Sequence, residues 1–141
     1  MTTHYSPQAK GYYQAKETDT GYQKAVGYVP ASTLTIEDGD IIEMVKVPIG
    51  AVVADVLLLT GAFGASVTAD VGDGNTDDLY ISAANVAAAS ITKMESLGLA
   101  GVPYVYTVAD TIDVTLEGAN PADTVAFALI VGYLTGVDIT P

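Results

Sequence analysis

An all-β fold, a jelly-roll-like β-sandwich of about eight short strands behind an extended N-terminal arm, is what the 141-residue sequence predicts. Three observations carry this expectation. From residue 33 onward, short apolar stretches alternate with polar residues and recur between turn signals. Half of the residues are hydrophobic and none is cysteine, so one domain of this length can close a core without disulfides or a thiolate metal site. No repeat of fixed period runs through the chain, which sets aside propellers, solenoids and repetitive shafts.

The first strand is expected at 33–37 (TLTIE), which alternates and ends at Asp38 and Gly39. That pair suits a tight turn, because glycine takes the positive φ that hairpins need. Residues 41–47 (IIEMVKV) follow as a second strand, stopped by Pro48 and Gly50. Residues 51–60 (AVVADVLLLT) are apolar on both faces apart from Asp55. This is the pattern of a central strand covered on both sides, and a neighbouring subunit is one way to cover it. Residues 66–71 (SVTADV) send Val67, Ala69 and Val71 to one face and Ser66, Thr68 and Asp70 to the other. A turn at 72–75 leads to a strand at 78–82 (DLYIS).

Residues 83–95 are alanine-rich, free of proline and followed by Gly98, so a helix is expected there, although Ile91 and Thr92 would also suit a strand. Strands at 102–108 (VPYVYTV), 110–117 (DTIDVTLE) and 124–135 complete the set, with Ile112, Val114 and Leu116 sharing one face.

Composition divides the chain into an arm, 1–32, and a β-sandwich domain, 33–141. The arm has no sustained period of 2 or 3.6. It holds five of the nine tyrosines: Tyr5, Tyr12, Tyr13, Tyr22 and Tyr28. Lys10, Lys16 and Lys24 outnumber Glu17 and Asp19 in its first thirty residues, whereas the rest of the chain sets fifteen acids against Lys46 and Lys93. Arginine is absent, and so few cations cannot neutralise a row of phosphates, so direct nucleic-acid binding is not expected. No cationic N-terminal stretch leads into an apolar segment, and the longest nearly unbroken apolar run, 125–134, is too short to span a bilayer as a helix. A soluble chain without an export signal or a membrane partner is the expectation.

The densest polar cluster is Asp70, Asp73, Asn75, Asp77 and Asp78, whose spacing sets oxygen ligands around a turn as Ca²⁺ requires. Against the helix-flanked calcium loop it departs twice, with Asp78 at the sixth position counted from Asp73 and Ala84 at the twelfth. An acidic turn that keeps a loop tip solvated explains the same residues. No other cofactor is expected. His4, the single histidine, reads as solvent-exposed near the terminus. Without an activated nucleophile or a convergent acid–base pair, an enzyme is not expected.

Tyrosine buries a large rigid surface at small entropic cost and keeps a hydroxyl for hydrogen bonding, so a tyrosine-rich segment reads as an interaction arm. Thirty extended residues reach on the order of 100 Å, enough to cross onto adjacent subunits.

Residues 39–53 and 67–74 carry a pattern of their own: Gly39-Asp40, Ile42-Glu43, Val45-Lys46, Pro48 and Gly50-Ala51, then a strand ending in DVGDG. This pattern resembles small structural proteins encoded beside the major capsid gene of tailed bacteriophages. The resemblance implies a head decoration, or cement, protein: a jelly-roll subunit, commonly a homotrimer, that binds the major capsid protein on the outer surface of the virion. It also implies synthesis in the cytoplasm of the host bacterium and no catalytic residues. Two other readings are a tail or fibre-tip component and a calcium-dependent carbohydrate-binding module built on the loop from Asp70 to Asp78.

Overall fold

The computed structural model describes residues 2–6, 21–96 and 104–135, and among them there are strands, turns and loops but no helix. Nine strands form two sheets. Sheet A runs β1 (Thr3–Tyr5), β3 (Ile41–Val47), β8 (Asp110–Glu117), β5 (Thr68–Asp73), β6 (Ile81–Asn85); sheet B runs β2 (Gly21–Val29), β9 (Phe127–Thr135), β4 (Val52–Thr60), β7 (Ser90–Lys93). Every pair is antiparallel except β1 with β3.

The two sheets pack face to face, and period-two alternation decides what lies between them. From sheet A, Ile112, Val114 and Leu116 of β8 point inward beside Val71 and Ala69 of β5. On β3 a bulge between Glu43 and Val45 shifts the phase by one residue, so that Ile42 and Met44 before it and Val45 and Val47 after it are all buried. From sheet B come Val56 and Leu58 of β4 and Leu129, Val131 and Tyr133 of β9. Phe63 and Phe127 close one end edge to face, with ring centroids 5.3 Å apart. Elsewhere in the interior the Tyr106 hydroxyl donates to Asp73 at 3.0 Å and lies 2.7 Å from the Tyr80 hydroxyl. Burial pushes both phenols well above their ordinary range, so each stays a neutral hydrogen-bonding group.

Several expected elements differ from those observed. Residues 33–37 form no strand; Ile36 is buried from a loop, and only the turn at Asp38 and Gly39 is present, Gly39 taking φ 88°. The helix expected over 83–95 is replaced by the end of β6 and by β7. Burial there recurs every second residue, at Ala84 and Val86, and Phe63 N–H and Gly64 N–H donate to the carbonyls of Val86 and Ala87, so tertiary pairing overrides alanine's helical preference. The strand expected at 78–82 starts three residues later, at Ile81. Of the strand expected over 102–108, a single bridge of Val105 to Val52 is found among the described residues.

The segment read as an arm over 1–32 contributes a strand to each sheet. β1 latches onto the edge of β3: Ile41 N–H donates to Thr2 O, Ser6 N–H to Glu43 O, and the Ser6 hydroxyl to Met44 O. β2 pairs with β9 along its whole length.

Candidate functional site

Alternation along β2 turns Ala25, Gly27 and Val29 to the core and Tyr22, Lys24, Val26 and Tyr28 outward. Across the register, Tyr28 continues to Ala128, Leu59 and Ile91, and Val26 to Ile130, Leu57 and Lys93. The outer face of sheet B therefore carries one apolar row running through all four strands and a second running through three, which Lys93 closes on β7. Tyr22, Val26 and Tyr28 are about half exposed (50–52 %) and Ile91 is 69 % exposed, while Leu57, Leu59 and Ile130 are partly shielded by these neighbours. Tyr22 lies over Gly132, where any side chain would occupy the place of its ring. Nothing in the described chain covers this face, and a contiguous apolar surface of this kind marks an interaction site.

Tyr28 also lines a groove of about 240 Å³ with Tyr5, Pro30, Thr33 and Leu34, where the edge of sheet A meets that of sheet B. Of the five tyrosines expected in the arm, the structure thus brings Tyr5 and Tyr28 together and sets Tyr22 on the same outer face as Tyr28; Tyr12 and Tyr13 lie outside the described residues. Tyr5 faces Glu43 across β1 and β3, and that carboxylate raises its phenol pKa. His4 is not solvent-exposed: its Nε2 lies 3.1 Å from Asp40, whose carboxyl also accepts from the N–H groups of Glu37 and Thr2. These donors, the Glu37 N–H foremost, hold Asp40 below the usual carboxylate range.

Sheet A presents the opposite chemistry. Its outward positions include Glu43, Asp70, Asp113, Thr115 and Glu117. Burial pushes the Asp113 carboxyl up to about 7, opposed by the Thr111 hydroxyl and reinforced by Glu43, Asp110 and Asp73. Glu117 is also pushed up to about 7, first by its hydrogen bond with Asp70 and then by burial and the negative charge of Asp70, Asp77 and Asp38.

The expected calcium cluster does not converge. In the β5–β8 register Asp70 faces Thr115, outward, whereas Asp73 faces Ile112, inward. Asp73 spends its carboxylate on the N–H groups of Asn75 and Thr76 and on the Tyr106 hydroxyl; Asn75, Asp77 and Asp78 lie on an exposed turn. Among the described residues no three acidic or histidine side chains come together to hold a metal.

Sequence reasoning missed the β2 half of the apolar face. Its alternation is legible in retrospect as Tyr22, Lys24, Val26, Tyr28 against Gln23, Ala25, Gly27, Val29. The inward set is small because β2 lies close on sheet A: a Cβ on Gly27 would collide with the backbone of Met44.

The architecture defines a two-sheet, jelly-roll-like sandwich with one apolar and one acidic outer face. No protein-family model and no curated protein matches the sequence. Solved structures do share the fold. A chain of "Capsid of Ralstonia phage GP4" superposes with a TM-score of 0.80 at 18% identity, over 96% of this chain and 99% of that one. A chain of "Cyanophage Pam1 capsid asymmetric unit" gives 0.68 at 23% identity, over 85% and 89%. One from "Acidic stable capsid structure of Helicobacter pylori bacteriophage KHP30" gives 0.62 at 19% identity, over 88% and 95%.

Proposed function

We infer that this chain is a structural virion protein that binds the outside of a bacteriophage capsid and stabilises it, a decoration or cement protein without enzymatic activity. The observation that carries the reading is the continuous apolar outer face of sheet B, which a chain acting alone would have no reason to expose. The shared fold with chains from three phage capsid structures supports the setting.

Tyr22, Val26, Tyr28 and Ile91 seat on the major capsid protein at the junctions between its subunits, with Tyr5 extending the contact along the groove. Packaged genome loads those junctions outward, and a subunit bridging them adds buried area where separation would begin. Repetition over the shell multiplies each small contribution. Self-association as a homotrimer and a place on the outer surface, after synthesis in the bacterial cytoplasm, belong to the same reading; direct contact with nucleic acid or membrane does not. The acidic sheet A then faces solvent, where like charge keeps decorated particles apart.

The test is a heat-release assay on heads assembled without this chain. Adding the full-length protein raises the temperature at which genome escapes; unchanged release at saturating protein contradicts the proposal. Light scattering on the isolated protein gives three times the 14.5 kDa chain mass if it is a homotrimer.

A further inference from the structure

Asp113 and Thr115 are only 6 % and 5 % exposed, although the register turns both to the outward side of sheet A. Among the described polar side chains, Asp113 Oδ1 and Thr115 Oγ1 are the two buried atoms without a hydrogen-bond partner. Leaving such atoms unpaired is costly, and a pair of them on one strand face calls for a cause.

The polar groups nearest them are mostly oxygen acceptors. Across the strands Asp113 faces Glu43 on one side and Gly72 on the other, and Thr115 faces Asp70 on one side and Ile41 on the other. The missing side chain of Gly72 is filled by the backbone of the turn after β5, where the carbonyls of Thr76 and Asp77 fold back over the sheet. Asp70 gives one carboxylate oxygen to Ala83 N–H and is hydrogen-bonded to Glu117. Lys46 lies one row further along, lining a groove with Glu43, Asp110 and Thr111.

Residues two apart on a strand project from the same face, and oxygens at that spacing can both reach a hard ion placed between them, whose bonds are about 2.4 Å long. We propose that the outer face of sheet A binds a calcium-class divalent cation between Asp113 Oδ1 and Thr115 Oγ1, with Asp70 and the carbonyls of Thr76 and Asp77 beside it. Two carboxylates, a hydroxyl and two carbonyls match the all-oxygen preference of such an ion, and water supplies the remaining positions. This set shares only Asp70 and Asp77 with the cluster expected from sequence, and Asp77 enters through its backbone. The bound ion satisfies both orphaned oxygens, offsets the charge of the surrounding carboxylates and pins the 74–78 turn to the sheet.

The test is calorimetric titration of the chelator-treated full chain with CaCl₂, paired with thermal melts in calcium and in EDTA. Wild type binds at one site and melts several degrees higher with calcium. Asp113→Asn weakens binding at least tenfold and loses the calcium-dependent melting shift, Thr115→Val weakens both, and Asp78→Asn, on the exposed turn, changes neither. Absence of heat and of a melting shift at millimolar calcium overturns the proposal, as does an Asp113→Asn protein that binds like wild type. Should Asp113→Asn fail to fold, Thr115→Val, which keeps the branched shape, decides the question alone.

Discussion

Tyr106 shows how much can hang on one oxygen. Its hydroxyl donates to Asp73 and meets Tyr80, all three buried. Tyr106→Phe keeps the ring contact with Tyr104 but strips a buried carboxylate oxygen of its donor, at a cost of about 1–3 kcal/mol. A lower urea midpoint with an unchanged m value is the expected result. The pH dependence belongs to this scale too. Asp113 and Glu117 have folded-state values near 7, above those of an unfolded chain, so the folded state holds extra protons between about pH 4 and 7. Stability therefore falls as pH rises through that window. Asp40, held low, acts in the other sense, and its contribution is lost as pH drops below the ordinary carboxylate range. In EDTA the melting temperature at pH 5 should exceed that at pH 8 by roughly 5 °C, and Asp113→Asn should flatten most of the difference. In the sequence, Asp70 and Asp73 look alike; only the strand register tells that one lies on the outer side of sheet A and the other on the core side.

At the scale of elements, strands that alternate large apolar with polar residues were legible. The expected 110–117 coincides with β8 and 41–47 with β3, because burial on one face dictates that pattern. β2 was not, since its core-facing Ala25 and Gly27 are small and its outward Val26 and Tyr28 are large, the reverse of an ordinary half-buried strand. The alanine-rich stretch misled for a related reason: Ala84 is buried on the core face opposite Ala69, and reads as a helix former only when its partners are ignored. The candidate site was half visible, through Tyr22, Tyr28 and the doubly apolar 51–60, but their adjacency depends on β9 lying between β2 and β4. Removing residues 1–6 tests β1 as a latch. The deletion exposes the β3 edge and frees Asp40 from His4, so the shortened chain should melt lower and self-associate more readily on heating, as followed by light scattering.

For the molecule as a whole, the two sheets divide the labour: one outer face is apolar and spans all four strands of sheet B, and the other carries stacked carboxylates. That asymmetry orients the protein on any surface it binds. It also separates folding from binding, since Val26 and Ile91 are exposed and contribute little to the core. A Val26→Glu, Ile91→Glu double variant should retain the wild-type melting temperature within about 2 °C, because exposed substitutions rarely cost more than about 0.5 kcal/mol each. The measurement that bears most directly on the central claim is co-sedimentation of this variant, beside wild type, with phage heads that lack the protein. Wild type should pellet with the heads while the folded double variant stays in the supernatant; equal pelleting of the two would show that the outer face of sheet B is not the docking surface.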